Sequence, residues 1–196
     1  MSTVCVSDFD LVARARQGDP AAFGELVERH RAAVYRAALA ALGSHADAED
    51  AAQDAFLLAF RRLDSFRGDA SFKTWLLTIA WHQAINRRRS LSRVWRRMVA
   101  PRDQEEAEAV LENVAAAELT PEGTAAHHQL RQEVRRAIRT LSPKLRDALL
   151  LAQSGEYSYE EIGTMLKSPV GTIKWRVSEA RRVLRTTMRA QGYDDV

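Results

Sequence analysis

Lys174, Trp175, Arg176, Ser178, Arg181 and Arg182 crowd together near the end of the 196-residue chain, and their chemistry is that of a surface meeting nucleic acid. Guanidinium and ammonium groups pair with phosphate oxygens or guanine edges, and an indole packs on a sugar or a thymine methyl. A second group lies earlier: Lys73, Trp81 and His82, followed by Arg87, Arg88 and Arg89. Aromatic planes beside cations hold unstacked single-stranded bases. Trp75 is assigned to the core; Trp81 fits the core and the binding face alike. An arginine run alone says little, being also the usual solvated end of a helix. A third group is acidic: Asp47, Glu49, Asp50, Gln53 and Asp54. Carboxylates in a first turn gain about 0.3–1 kcal/mol each from the helix dipole, which accounts for the first three. Gln53 and Asp54 extend the patch into the second turn, where a protein partner is the sharper reason. No nucleophile stands beside a base, no glycine-rich stretch cradles phosphate, and the carboxylates share one helix face rather than flanking a cleft. The five histidines lack ligand spacing, and the single Cys5 excludes an intramolecular disulfide and points to a reducing compartment. The chain is therefore read as a non-enzyme with no cofactor and no metal.

Helices must present these groups. Ser158 followed by Glu161 is a capping box, and Ile162, Met165 and Leu166 give the helix it opens one apolar face. Gly163 sits where a second helix must pass close by. Lys167 and Ser168 break the pattern, and the second helix begins at Pro169. Its Ile173, Val177, Ala180 and Leu184 point inward, leaving the basic residues outward. This is a helix-turn-helix with its recognition helix second; a helical hairpin with a solvated charged face is the bland alternative.

Upstream, Asp8 to Gln17 reads as a short helix ended by Gly18, and Asp19-Pro20 opens the next, which runs to Gly43 with His30 at the edge of the core. A third helix starts at Ser44 to Asp47, its apolar stripe running through Ala48, Ala51, Ala55, Leu58 and Ala59 to Leu63. A Gly-Asp turn at Gly68 and Asp69 precedes a fourth helix near Ser71, with Trp75, Leu76, Ile79 and Ala80 on its buried side. Thr124 to Thr140 is helical, and Ser142-Pro143 caps a helix to about Ser154, with Leu145, Leu149 and Leu150 facing the helix-turn-helix. The spacing predicts an all-α chain of two small helical domains, 8–90 and 124–190, joined by a flexible linker over 91–123 in which VLENVAAAEL forms at most a transient helix. The last residues, Gly192 to Val196, are expected to fray.

Charge is segregated. From Arg61 to Arg102 eleven basic residues face two acidic ones, from Asp103 to Glu122 there are seven acidic residues and no basic one, and from His128 to Ala190 thirteen basic residues face six acidic. Two basic blocks around an acidic spacer suggest two contacts with nucleic acid. The N-terminus MSTVCVSDFD has neither a basic start nor a long apolar run, so no signal peptide or membrane anchor is expected and the location is read as cytoplasmic. No heptad seam supports a homo-oligomer.

DAEDAAQDAFLLAFRRLDSFRGDASFKTWLLTIAWHQAINRRR, followed after a linker by LSPKLRDALLLAQSGEYSYEEIGTMLKSPVGTIKWRVSEARRVLR, resembles the extracytoplasmic-function group of bacterial sigma factors. The likeness covers about Asp10 to Arg189 apart from the linker. It implies that the first block is region 2, gripping core RNA polymerase and melting the minus-ten element, and that the second is region 4, reading the minus-thirty-five element. By position it assigns Asp47, Asp50, Gln53, Asp54 and Leu57 to the polymerase clamp. It assigns Phe66, Arg67, Gly68, Asp69, Lys73, Ile79, Trp81, His82, Asn86, Arg87 and Arg88 to single-stranded minus-ten DNA, with the FRGD turn capturing a flipped-out base. Thr172, Lys174, Trp175, Arg176, Ser178, Glu179, Arg181 and Arg182 fall to duplex minus-thirty-five DNA. Three positions depart from the family's pattern: His82 stands where Asn is usual, Trp175 where a small residue is usual, and Glu179 where a basic one is. The resemblance also implies an anti-sigma factor as partner and a linker threading the polymerase cleft. Two other readings stay open on the residues alone: a regulator that binds DNA without polymerase and carries an N-terminal helical sensor domain, and an adaptor whose basic faces bind acidic partners.

Overall fold

The structure, a computed structural model, describes residues 6–98, 125–155 and 157–193, with side chains described outside 92–98 and 125–128. Among these the chain is helical throughout, and it divides into two compact units, Met1–Leu111 and Glu112–Val196.

The first unit holds α1 (Asp8–Arg16), α2 (Pro20–Leu42), α3 (His45–Arg61), a 3₁₀ turn at Leu63–Ser65 and α4 (Phe72–Met98). Local chemistry sets the boundaries. Ser7 caps α1, Asp19 accepts from the Ala21 and Ala22 amides with Pro20 in the first turn of α2, and Gly43 ends α2 in the left-handed region at φ 74°. Ser44 caps α3 and Ser71 accepts from the Thr74 amide at the start of α4. The helices α2, α3 and α4 pack on one another, and α1 lies against α2. Their contacts are lined by alanine: Ala37, Ala38, Ala48, Ala55, Ala59, Ala80 and Ala84 are fully buried, with Leu11, Leu26, Leu76, Leu77 and Trp81 filling the wider spaces. Small side chains let helix axes approach to the short end of the usual 8–10 Å range. His30 sits at the core edge, bonded to Asp8 at 2.7 Å and tilted against Phe72, and Arg29 reaches Asp8 at 3.2 Å, so α1 is fastened at its start.

Two expectations change here. The fourth helix continues to Met98, past Leu91 where the linker was placed; residues 99–124, including VLENVAAAEL, lie outside the described residues. Its buried face is also rotated. Leu77, Trp81, Ala84 and Ile85 are buried with Leu76 and Ala80, whereas Trp75 and Ile79 are only half-buried. A helix apolar around much of its circumference is oriented by its neighbours rather than by its own period.

The second unit holds α5 (Ala125–Thr140), α6 (Pro143–Gln153), α7 (Tyr159–Met165) and α8 (Val170–Ala190). Leu141, Leu149 and Ala180 form one cluster with Ile138, Leu145, Val183 and Leu184, and Leu151, Ile162, Met165, Ile173 and Val177 are buried around α7 and α8. Leu150, expected inward, is half-buried while Leu151 is fully buried. The capping box is complete: Ser158 Oγ accepts from the Glu161 amide at 3.1 Å and Glu161 Oε2 from the Ser158 amide at 2.8 Å. At Gly163 a Cβ would meet the Ser168 carbonyl oxygen at 2.9 Å and Val170, the first residue of the second helix, at 3.8 Å, so the turn and the start of the second helix both pass close. Lys167 takes φ 48° to make that turn, and Pro169 serves as N-cap, so the second helix starts one residue later than expected, at Val170.

Candidate nucleic-acid and protein interfaces

On α8 the outward face is as the period requires. Lys174, Ser178, Arg181 and Arg182 are exposed, Trp175 is 62% exposed, and Thr172 is half-buried. Three members are engaged within the unit. Arg176 is half-buried and donates from Nη1 to Ser168 Oγ at 3.0 Å, bracing the turn between α7 and α8. Glu179 accepts from Arg182 at 2.8 Å (Nε) and 2.7 Å (Nη2), and this pairing holds the Glu179 carboxyl below its ordinary range. Beside them a concavity of about 330 Å³ is lined by Tyr159, Lys174, Val177, Ser178, Arg181, Arg182 and Arg185. Sequence reasoning missed Tyr159 and Arg185. Arg185 follows Arg181 by one helical turn and was findable from that spacing; Tyr159 belongs to α7, and nothing local marks it.

The FRGD turn follows the 3₁₀ turn. Phe66 is 6% exposed and lies edge-on to Phe72 at 5.7 Å and tilted to Trp75 at 5.5 Å, so it anchors the turn rather than facing outward. Arg67, Gly68 and Asp69 are exposed, with Gly68 at φ 81°, where a side chain is strained. Beyond them, Ile79, His82 and Asn86 follow one another at helical spacing along α4, Ile79 half-buried and the others exposed, with Lys73 half-buried near its start. Trp81 does not join them: at 2% exposure it belongs to the core, which removes it from the stacking group. The arginine run also separates. Arg87 reaches α3, pairing with Asp47 at 3.0 Å and Asp50 at 2.8 Å; partial burial disfavours its charge, but the two carboxylates outweigh that and raise its pKa. Arg88 donates to the Ala41 carbonyl at 3.2 Å, and Arg89 is exposed.

On α3 the acidic patch is therefore in two parts. Asp47 and Asp50 tie α3 to α4 through Arg87, while Gln53, Asp54 and Leu57 form an exposed strip, Leu57 at 58%. Phe60, one turn on, is 53% exposed and lies edge-on to Phe23 at 4.9 Å. The sequence reading passed over Phe60, although its spacing from Leu57 extends the strip.

No cluster of histidine, cysteine or carboxylate side chains suited to a metal occurs among the described residues.

Comparison with known proteins agrees with this geometry. The family model for Sigma-70 region 2 matches residues 26–94, and that for Sigma-70 region 4 matches residues 131–184. The ECF RNA polymerase sigma-E factor of Escherichia coli K12 is 38% identical over 180 residues, covering 91% of this chain and 93% of the relative. The RNA polymerase sigma-H factor of Pseudomonas aeruginosa is 33% identical over 178 residues, 90% and 91% of the two chains. Among solved structures, CnrH in complex with the cytosolic domain of CnrY superposes with a TM-score of 0.62 at 26% identity, over 93% of this chain and 97% of that one. RpoE from Bartonella quintana, solved with the anti-sigma factor NepR, shares the fold at 24% identity and a TM-score of 0.58, over 85% and 96% of the two chains. With both regions matched in order and curated relatives matched over nine-tenths of their length, the chain belongs to the sigma-70 family, in its extracytoplasmic-function group.

Proposed function

We propose that this sigma factor docks on core RNA polymerase through α3, takes the unstacked minus-ten strand on the FRGD turn and the outer face of α4, and reads the duplex minus-thirty-five element with α8. The observation that carries the reading is that two separate units each present an outward polar face on a helix, in the order of the two matched regions. Gln53, Asp54 and Leu57 are the polymerase contacts, with Asp47 and Asp50 setting the register of α3 against α4. Arg67, Gly68 and Asp69 shape the base-capturing turn, and Ile79, His82 and Asn86 line the path of the strand. Lys174, Trp175, Ser178, Arg181 and Arg182 meet duplex DNA, and Arg176 supports them from the turn. The units correspond to region 2 from residue 8 through at least 90 and region 4 over 124–190.

An anti-sigma factor is the partner proposed to hold the chain inactive, and CnrH, solved with the cytosolic domain of CnrY, is the similar structure that supports a bound partner. The chain acts by binding and catalyses no step itself. The place of action is the cytoplasm, with the polymerase; no described helix is long and apolar enough to cross a membrane.

The test is fluorescence anisotropy of a labelled promoter fragment with the chain alone and with core polymerase, at two salt concentrations. Specific binding is expected only with core, and it should weaken steeply with salt. Equal, tight binding of duplex DNA by the chain alone would return the reading to a regulator independent of polymerase.

A further inference from the structure

The carbonyl groups just before the FRGD turn converge on one side chain from another helix. Arg16, the last residue of α1, donates to the Leu63 carbonyl through Nη2 at 2.8 Å and Nε at 3.2 Å. The same Nη2 also meets the Phe66 carbonyl and, at 3.5 Å, that of Asp64. A carboxylate contact exists too, to Asp64 at 4.0 Å, but Asp64 is 95% exposed, and a distant pair in water contributes little. The carbonyls therefore carry the hold. Nη2 has two hydrogens for the Leu63 and Phe66 carbonyls while Nε adds a second bond to Leu63, all in the plane of one guanidinium; an ammonium has three donors but turns freely on its stem and fixes no such direction.

The consequence for the turn is geometric. Phe66 is fixed twice, its ring by Phe72 and Trp75 and its carbonyl by Arg16. The next residues, Arg67, Gly68 and Asp69, are exposed and leave from that fixed point. Their direction is thus set from α1, which is itself seated by Leu11, Val12 and Ala15 and fastened through Asp8 to Arg29 and His30. Residue 16 lies before the start of the region 2 match at 26.

We infer that Arg16 is a positioning residue for base capture: it holds the backbone of residues 63–66 so that Arg67, Gly68 and Asp69 keep the shape that selects an unstacked base. The inference rests on the reading of the FRGD turn as the base-capturing element.

The test uses full-length chain assembled with core polymerase. A randomised pool of short single-stranded DNA is captured by the holoenzyme and sequenced, and discrimination is the ratio of best to worst base at the most selective position. Arg16→Ala should lower that ratio about tenfold, the size of one good base contact, with core binding retained. Arg16→Lys keeps the charge without the fork and should recover less than half of the loss. A loop variant, Arg67→Ala with Asp69→Ala, separates the inference from the reading beneath it. If the loop variant loosens selection and Arg16→Ala does not, the inference is wrong and the reading stands. If neither loosens it, the reading fails and takes the inference with it; if only Arg16→Ala does, Arg16 does not act through the turn and the inference is overturned. Should Arg16→Ala not fold, Arg16→Lys decides alone. Reduced discrimination with intact core binding supports positioning, while wild-type discrimination, or core binding lost in step with it, overturns it.

Discussion

Glu179 stands on the face proposed for duplex DNA, yet its charge is spent on Arg182 at 2.7 Å. An acid that cancels a neighbouring cation removes one phosphate partner from the surface, so Glu179→Ala should restore it. We expect tighter binding to non-specific duplex and a salt slope, log K against log salt, steeper by about one, measured by titration at several salt concentrations. The pairing holds the carboxyl below its ordinary value, so in the wild type the cancellation persists through neutral and mildly acidic pH. It is lost only as pH falls through that depressed pKa. An unchanged slope would place Arg182 away from the phosphates. The exposure of Lys174, Trp175, Ser178 and Arg181 was legible in the sequence, because one helix with a clean apolar stripe fixes its own outer face. Trp81 and Arg87 were not. The burial of Trp81 depends on which side of α4 the other helices occupy, and the partners of Arg87 lie 40 and 37 positions earlier. Arg16 was invisible for the same reason, its carbonyls lying 47 to 50 residues downstream.

Among the elements, the α7-turn-α8 pair was readable almost to the residue because its signals are local: a capping box, a glycine where the turn returns, a proline at the cap. The reading of α3 needed the structure to divide it. Its acidic residues read in sequence as one surface, but Asp47 and Asp50 face Arg87, while Gln53 and Asp54 stand outside that tie. Substitution at the two kinds of position should differ accordingly. Gln53→Ala with Asp54→Ala removes exposed groups that contribute little to the fold. We expect thermal stability within about 0.5 kcal/mol of wild type and markedly weaker capture of core polymerase in a pull-down. A double variant that captures core as well as wild type does would move the docking face elsewhere on the unit.

At the scale of the whole molecule, the all-α architecture and the two-unit plan were legible because each helix carries its own period and caps, and because charge alternates along the chain in long blocks. The identity of the core was legible in part: the period places Ala48, Ala51, Ala55 and Ala59 of α3 and Ala80 of α4 inward, and they are buried, whereas Ala37 and Ala38 of α2 and Ala84 of α4, which close the same bundle, read in sequence as mere helix formers. That packing gives the unit a one-sided tolerance. Where a large core residue can shrink and leave a cavity, a buried alanine between close backbones has almost nothing to lose and no room to grow. Ala37→Leu must push α2 from its neighbours and should cost about 1–3 kcal/mol in urea unfolding, while Ala37→Gly should cost only about 0.5–1 kcal/mol through the helix itself. Over generations, neutral drift at these sites is then a ratchet: a lineage can exchange alanine for glycine or serine at modest cost, but it cannot enlarge one face unless the facing helix has already given way.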